Sequence, residues 1–179
     1  MIRRIGIFSG TFDPVHHGHI AFCLEVLREC QLDEIVLIPE GRPRNKQHVS
    51  SLPDRLVLLE QTVGPQPHLR ATTLESDQFT VGQTLPELKR RFENAELILL
   101  VGSDVARTFL YRWQGLKELL VQVSLAIGLR QGDTAAEMKA IISQLQQEYG
   151  IPVRHTLIQS PHADISSSQI RARINKRTT

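Results

Sequence analysis

Apolar positions along the chain fall into two alternating textures. Short unbroken runs, Ile5-Gly6-Ile7-Phe8, Glu34 to Pro39 and Leu97 to Val101, read as buried strands. Between them apolar residues return at helical spacing. Ile20, Leu24 and Leu27 mark a helix ending near Cys30, Leu56, Leu59 and Val63 a second one opened by Pro53-Asp54, and Met138, Ile141, Leu145 and Tyr149 a longer one. Leu69 to Leu74, Val121 to Leu129 and Val153 to Ile158 supply further strands. A helix is expected between Val81 and Phe92, where Pro86 leaves its first turn undefined, and another at Ser166 to Ile174. Strands that are apolar on both sides and alternate with helices predict a parallel sheet covered on both faces, a doubly wound, Rossmann-like α/β fold. Such sheets bind ligands beyond the carboxyl ends of their strands, so the loops that follow strands should carry the chemistry.

Composition narrows the class. A length of 179 residues suits one domain spanning 1–179, and 41% apolar with 22% charged residues is globular. A formal charge of +2 is too small for a protein built to grip a polyanion, so no nucleic-acid partner is expected. No apolar run approaches the roughly 20 residues that cross a bilayer, and Met1 to Gly6 lead into a strand without the features of a secretion signal. The expectation is a cytoplasmic protein with no membrane partner. Cys23 and Cys30 are too few for a disulfide framework or a zinc site. A homo-oligomer is compatible with the chain, although one sequence does not show it.

The most informative stretch is Ser9-Gly10-Thr11-Phe12-Asp13-Pro14-Val15-His16-His17-Gly18-His19. Gly10 would let backbone approach a ligand, and Asp13-Pro14 shapes a turn. His16 and His19, with Gly18 between them, fall where the turn becomes a helix, and a helix N-terminus favours phosphate. Two imidazoles there can donate hydrogen bonds to phosphate oxygens. The competing readings are a helix cap, a metal site and ordinary turn glycines; no Walker loop occurs anywhere. Near the other end, Ser166-Ser167-Ser168-Gln169-Ile170-Arg171 reads as a helix start with a second set of hydroxyls and N–H groups for an anion. Arg171 could reach the same anion in bidentate fashion, or simply be solvated.

With both segments in view, the chain resembles the nucleotidyltransferase superfamily that carries the (H/T)xGH motif. Gly10-Thr11-Phe12-Asp13-Pro14 with His16-x-Gly18-His19 matches the first hallmark, and Ile165-Ser166-Ser167-Ser168-Gln169-Ile170-Arg171 the second, ISSTxxR, with Ser168 in place of Thr. Within it the chain is similar to the nicotinate (nicotinamide) mononucleotide adenylyltransferase branch. Pro43-Arg44-Asn45-Lys46 stands where that branch has P-P-H-K, departing at two positions, and Arg55, Leu56 and Leu59 fit its R-L-x-M-L helix. Phe79-Thr80-Val81 before Thr84-Leu85 resembles Y-T-x-D-T-L with Gly82-Gln83 replacing one Asp, and Gly102-Ser103-Asp104 with Trp113 resembles G-x-D…W.

The resemblance implies transfer of an adenylyl group from ATP, accompanied by Mg²⁺, to a pyridine mononucleotide. His16, His19 and Arg171 would be catalytic. Gly10, Thr11, Phe12, Gly18, Lys46, Gly102, Asp104, Ile165, Ser166 and Ser168 would hold ATP, and Thr84 and Trp113 the mononucleotide, with no protein-held metal. Asp104 has a second reading as the N-cap of a helix from Val105 to Tyr111, and Trp113 as a packing anchor. Alternatives for the whole chain are a nicotinamide-specific or dual-specificity transferase, a phosphopantetheine adenylyltransferase and a nucleotide-binding module without turnover.

Overall fold

A computed structural model describes residues 2–44, 46 and 48–159. The expected helix at Ser166 to Ile174, and with it Ile165, Ser166, Ser168 and Arg171, lies outside the described residues. The chain runs β1 (Arg3–Gly10), α1 (His17–Glu29), β2 (Glu34–Pro39), α2 (Leu52–Val63), β3 (Leu69–Ala71), α3 (Val81–Arg91), β4 (Ala95–Gly102), α4 (Ser103–Thr108), a 3-10 turn (Phe109–Tyr111), α5 (Leu116–Gln122), β5 (Ser124–Leu129), α6 (Ala135–Tyr149) and β6 (His155–Gln159). The strands form a single sheet in the order β3-β2-β1-β4-β5-β6, with every neighbouring pair parallel. This is the doubly wound, Rossmann-like order, and the strand sequence reverses between β1 and β4.

Alternate strand residues feed two cores, one on each face. Ile35, Leu37, Ile98 and Leu100 pack with Phe22 and Val26 of α1 and Leu59 and Val63 of α2. Val36, Ile38, Leu97, Leu99 and Val101 pack with α3, α4, α5 and α6 through Leu85, Ala106, Leu119 and Met138. Gly128 on β5 brings α1 close, since a Cβ there would stand 2.8 Å from the Phe22 ring. Ser51 caps α2 by accepting from the Asp54 N–H at 3.3 Å, and Thr134 does the same for α6 at 3.2 Å from Glu137.

Several expected bounds shift. β3 stops at Ala71, and Val121 and Gln122 belong to α5, whose existence the apolar run into β5 concealed. Leu24 faces solvent, and Phe22, Cys23 and Val26 form the buried stripe of α1 instead. α3 runs through Pro86 while burying Val81, Thr84, Leu85 and Leu88 against the core. α4 starts at Ser103 with Gly102 as its N-cap, so Asp104 sits inside the first turn and is not the cap.

The register of β1 opens the site. β1 pairs with β2 up to Gly10↔Pro39, but with β4 only up to Ile7↔Leu99. Beyond that level the two central strands share no partners, and the loops that follow them leave the sheet at the carboxyl edge, where sheets of this kind open a ligand crevice.

Candidate active site

Phe12 adopts a left-handed backbone conformation, φ +49°. Its ring is buried and folds back over Gly10, where a Cβ would lie 3.2 Å from it. Gly10 therefore makes room for the Phe12 ring. The Phe12 side chain is likewise closed off, and it serves as a wall for His19: the two rings meet edge to face at 5.1 Å, and Phe8 flanks His19 at 5.9 Å. Thr11 supplies the carbonyl that anchors this turn to α2.

His16 ends the turn in extended backbone as the N-cap of α1, and Gly18 is buried in the first turn that follows. The backbone N–H of His16 donates to Nδ1 of His19 at 3.2 Å, and the two imidazoles stack at 3.7 Å. With Nδ1 accepting, the proton of a neutral His19 resides on Nε2. Burial pulls the pKa of His19 down to about 3, helped by the charges of His16, Arg130 and Lys46. His16 is lowered too, first by burial and then by Arg130 and His17. Both rings are neutral donors at ordinary pH. Nδ1 of His16 and Oγ of Ser9 are buried at this point without a partner among the described residues.

Arg130 and Lys46 bring positive charge to the histidines from two other strand ends. Arg130 is the first residue after β5 and forms an ion pair with Asp104 at 3.0 Å. At Gly102 a Cβ would meet the Asp104 carboxylate, which packs over this position. Beneath them the half-buried Asp133 accepts from Ser103 Oγ, from Arg107 and, at 2.7 Å, from the backbone N–H of Arg130. Burial works against its charge, but these hydrogen bonds hold the carboxyl below its usual range. The loops after β4 and β5 are thereby fixed to one another.

Thr84 has no exposed surface, and its hydroxyl accepts from the Thr80 N–H at 3.0 Å, which closes it to any ligand and corrects its assignment to the mononucleotide. Trp113 is partly buried and sits edge-on against Phe109 at 5.0 Å, the arrangement of a packing anchor. Among the described residues the structure thus gathers His16, His19 and Lys46 on one side and Gly102 and Asp104 on the other. Arg130 and Asp133 escaped the sequence reading, although an arginine directly after an apolar strand was a usable signal for the first. No group of three or more His, Cys, Asp or Glu side chains that could hold a metal ion occurs among the described residues, and a hard ion such as Mg²⁺ takes oxygen ligands.

Residues 7–173 match the cytidylyltransferase-like family. The probable nicotinate-nucleotide adenylyltransferase of Neisseria gonorrhoeae is 30% identical over 97% of this chain and 88% of its own length. The protein of the same name from Herpetosiphon aurantiacus is 30% identical over 97% and 87%. Among solved structures, Plasmodium falciparum nicotinic acid mononucleotide adenylyltransferase complexed with NaAD superposes with a TM-score of 0.74 at 18% identity, covering 95% of this chain and 83% of that one. That likeness concerns the fold.

Proposed function

The chain belongs to the cytidylyltransferase-like family, among its nicotinate-nucleotide adenylyltransferases, and from that premise we propose how its residues transfer an adenylyl group from ATP to nicotinate mononucleotide, releasing pyrophosphate and deamido-NAD. The observation that carries the proposal is the pair of neutral imidazoles, with His19 Nε2–H available, set beside Arg130 and Lys46 where the strand order reverses. Neutral donors flanked by cations suit a triphosphate whose charge shifts during reaction.

The 5′-phosphate of the acceptor is anionic at neutral pH and needs no general base to become a nucleophile. One of its oxygens bonds to the α-phosphorus of ATP in line as the bond to the pyrophosphate oxygen breaks, and the protein contributes position and charge stabilisation. His16 and His19 donate to the α-phosphate and its neighbours, Lys46 and Arg130 balance the remaining charge, and Asp104 exchanges its ion pair for the ribose hydroxyls. Mg²⁺ enters with ATP as part of the substrate, held by phosphate oxygens and water. Ser166, Ser168 and Arg171 complete the clamp from the carboxyl-terminal side, with 1–179 acting as one unit. The direction of β6 supports this: it runs parallel to β1 and ends with Gln159 at the carboxyl edge. Three strand spacings from β6 to β1 amount to about 14 Å, within the roughly 25 Å that the segment 160–166 can span when extended.

A pyrophosphate-release assay with ATP and Mg²⁺ tests the proposal. Release is expected with nicotinate mononucleotide. Selective release with nicotinamide mononucleotide or phosphopantetheine would reassign the acceptor, and no release with any of the three would leave a binding module.

A further inference from the structure

Arg55 stands in the first turn of α2, away from the histidines in sequence, and only 2% of it is exposed. A buried guanidinium is costly unless its donors are occupied. Here they go to main-chain carbonyls of three separate segments. Nε donates to Ser50 at 2.9 Å, one terminal nitrogen to Thr11 at 2.6 Å, and the other to Glu40 at 2.8 Å and Gly41 at 3.4 Å. Asp13 and Glu40 lie near enough for their charges to favour the cation against its burial.

Each of these carbonyls belongs to a segment that frames the crevice. Thr11 starts the turn that aims His16 and His19. Glu40 and Gly41 form one foot of the 41–50 loop and Ser50 the other, and Lys46 rides between them. Among the described residues the two loops are also joined where the Glu40 N–H donates to Gly10 at 2.9 Å and the Ser50 N–H to Asp13 at 3.4 Å, single bonds beside the several that Arg55 makes. One planar fork thus sets the separation between the imidazoles and the lysine-bearing loop.

We propose that Arg55 is a positioning residue for adenylyl transfer, clipping the β1–α1 turn to both feet of the 41–50 loop without touching substrate. This rests on the function proposed above. A lysine keeps the charge but cannot reproduce the planar fork. Displacements near 1 Å at such a site can cost as much as about a hundredfold in rate.

The test uses the whole chain with Arg55→Lys and Arg55→Ala. Both are expected to keep the circular dichroism and elution volume of the parent. kcat should fall at least about tenfold in Arg55→Lys. Millimolar guanidinium should restore much of the lost rate to Arg55→Ala and none to His19→Ala. Amide exchange should rise together in segments 10–13 and 40–50 of Arg55→Lys while α6 stays protected. A parental kcat in Arg55→Lys, or faster exchange spread over the whole molecule, would overturn the proposal; so would guanidinium failing to rescue a folded Arg55→Ala. If Arg55→Ala does not fold, the lysine variant decides. Should the parent release no pyrophosphate with any acceptor, the functional reading fails by itself, and the exchange pattern still judges the clip.

Discussion

At His19, one hydrogen bond and two aromatic walls determine what the side chain can do. Nδ1 is occupied by the His16 N–H, the ring is held between Phe12 and His16, and its remaining nitrogen carries a proton that it keeps without becoming charged. His19→Ala should therefore leave the fold intact and lower kcat at least about a hundredfold, the scale for losing one oxyanion-stabilising donor. A folded variant with near-parental turnover would refute the role. Protonation has a stability consequence as well. An unfolded histidine titrates near 6.5, whereas His19 in the fold is held down to about 3, so between these values the unfolded chain binds more protons. His19 adds no pH dependence above about 6.5, and its environment weakens the fold by at most about 1.4 kcal/mol per unit as pH falls below that. Thermal melts from pH 7.5 down to 5 should show a steeper loss in the parent than in His19→Ala; parallel slopes would contradict the assignment. The histidines themselves were legible, because His16 and His19 flank Gly18 at a strand-to-helix turn. Arg55 stood out only as part of a motif match, and neither its role nor Asp133 could be read, because most of what they bind is main chain or distant in sequence, and main-chain partners leave no pattern of residue types.

Among the elements, α1 matters most, since its N-cap and first turn hold the two imidazoles and it reaches its position through Phe22 packed over Gly128. Gly128→Ala places a methyl 2.8 Å from that ring. The expected outcome is a destabilisation of about 1–3 kcal/mol in chemical denaturation, the range for overpacking. It should come with reduced turnover as α1 lifts from the sheet. Unchanged stability would mean that α1 yields freely. Strands β2 and β4 could be read directly because central parallel strands are apolar on both faces, and Glu34–Pro39 matched its observed bounds. α5 could not, because Leu119, Leu120 and Val121 lead into the apolar β5 run with only Val123 in extended backbone to separate them. Thr84 was assigned through resemblance to a motif, and a motif match does not reveal that the face it occupies on α3 points into the core.

For the molecule as a whole, the parallel sheet sends every strand end to one edge, so residues far apart in sequence meet there. His16 and His19 follow β1, Lys46 follows β2, Asp104 follows β4 and Arg130 follows β5. Two charged groups keep the halves in order, the buried Arg55 for the β1 and β2 loops and the half-buried Asp133 for the β4 and β5 loops. Arg171→Ala should raise the KM for ATP by about tenfold or more, the scale of a lost charge-assisted pair, with a smaller change for the mononucleotide; the reverse ranking would move Arg171 to the acceptor. The central claim is that both ends of the chain hold one triphosphate. A crystal structure with a non-hydrolysable ATP analogue tests it most directly. The account predicts His19 Nε2 and the Arg171 guanidinium within hydrogen-bonding distance of the same triphosphate, and finding Arg171 turned away from the nucleotide that His19 contacts would contradict it.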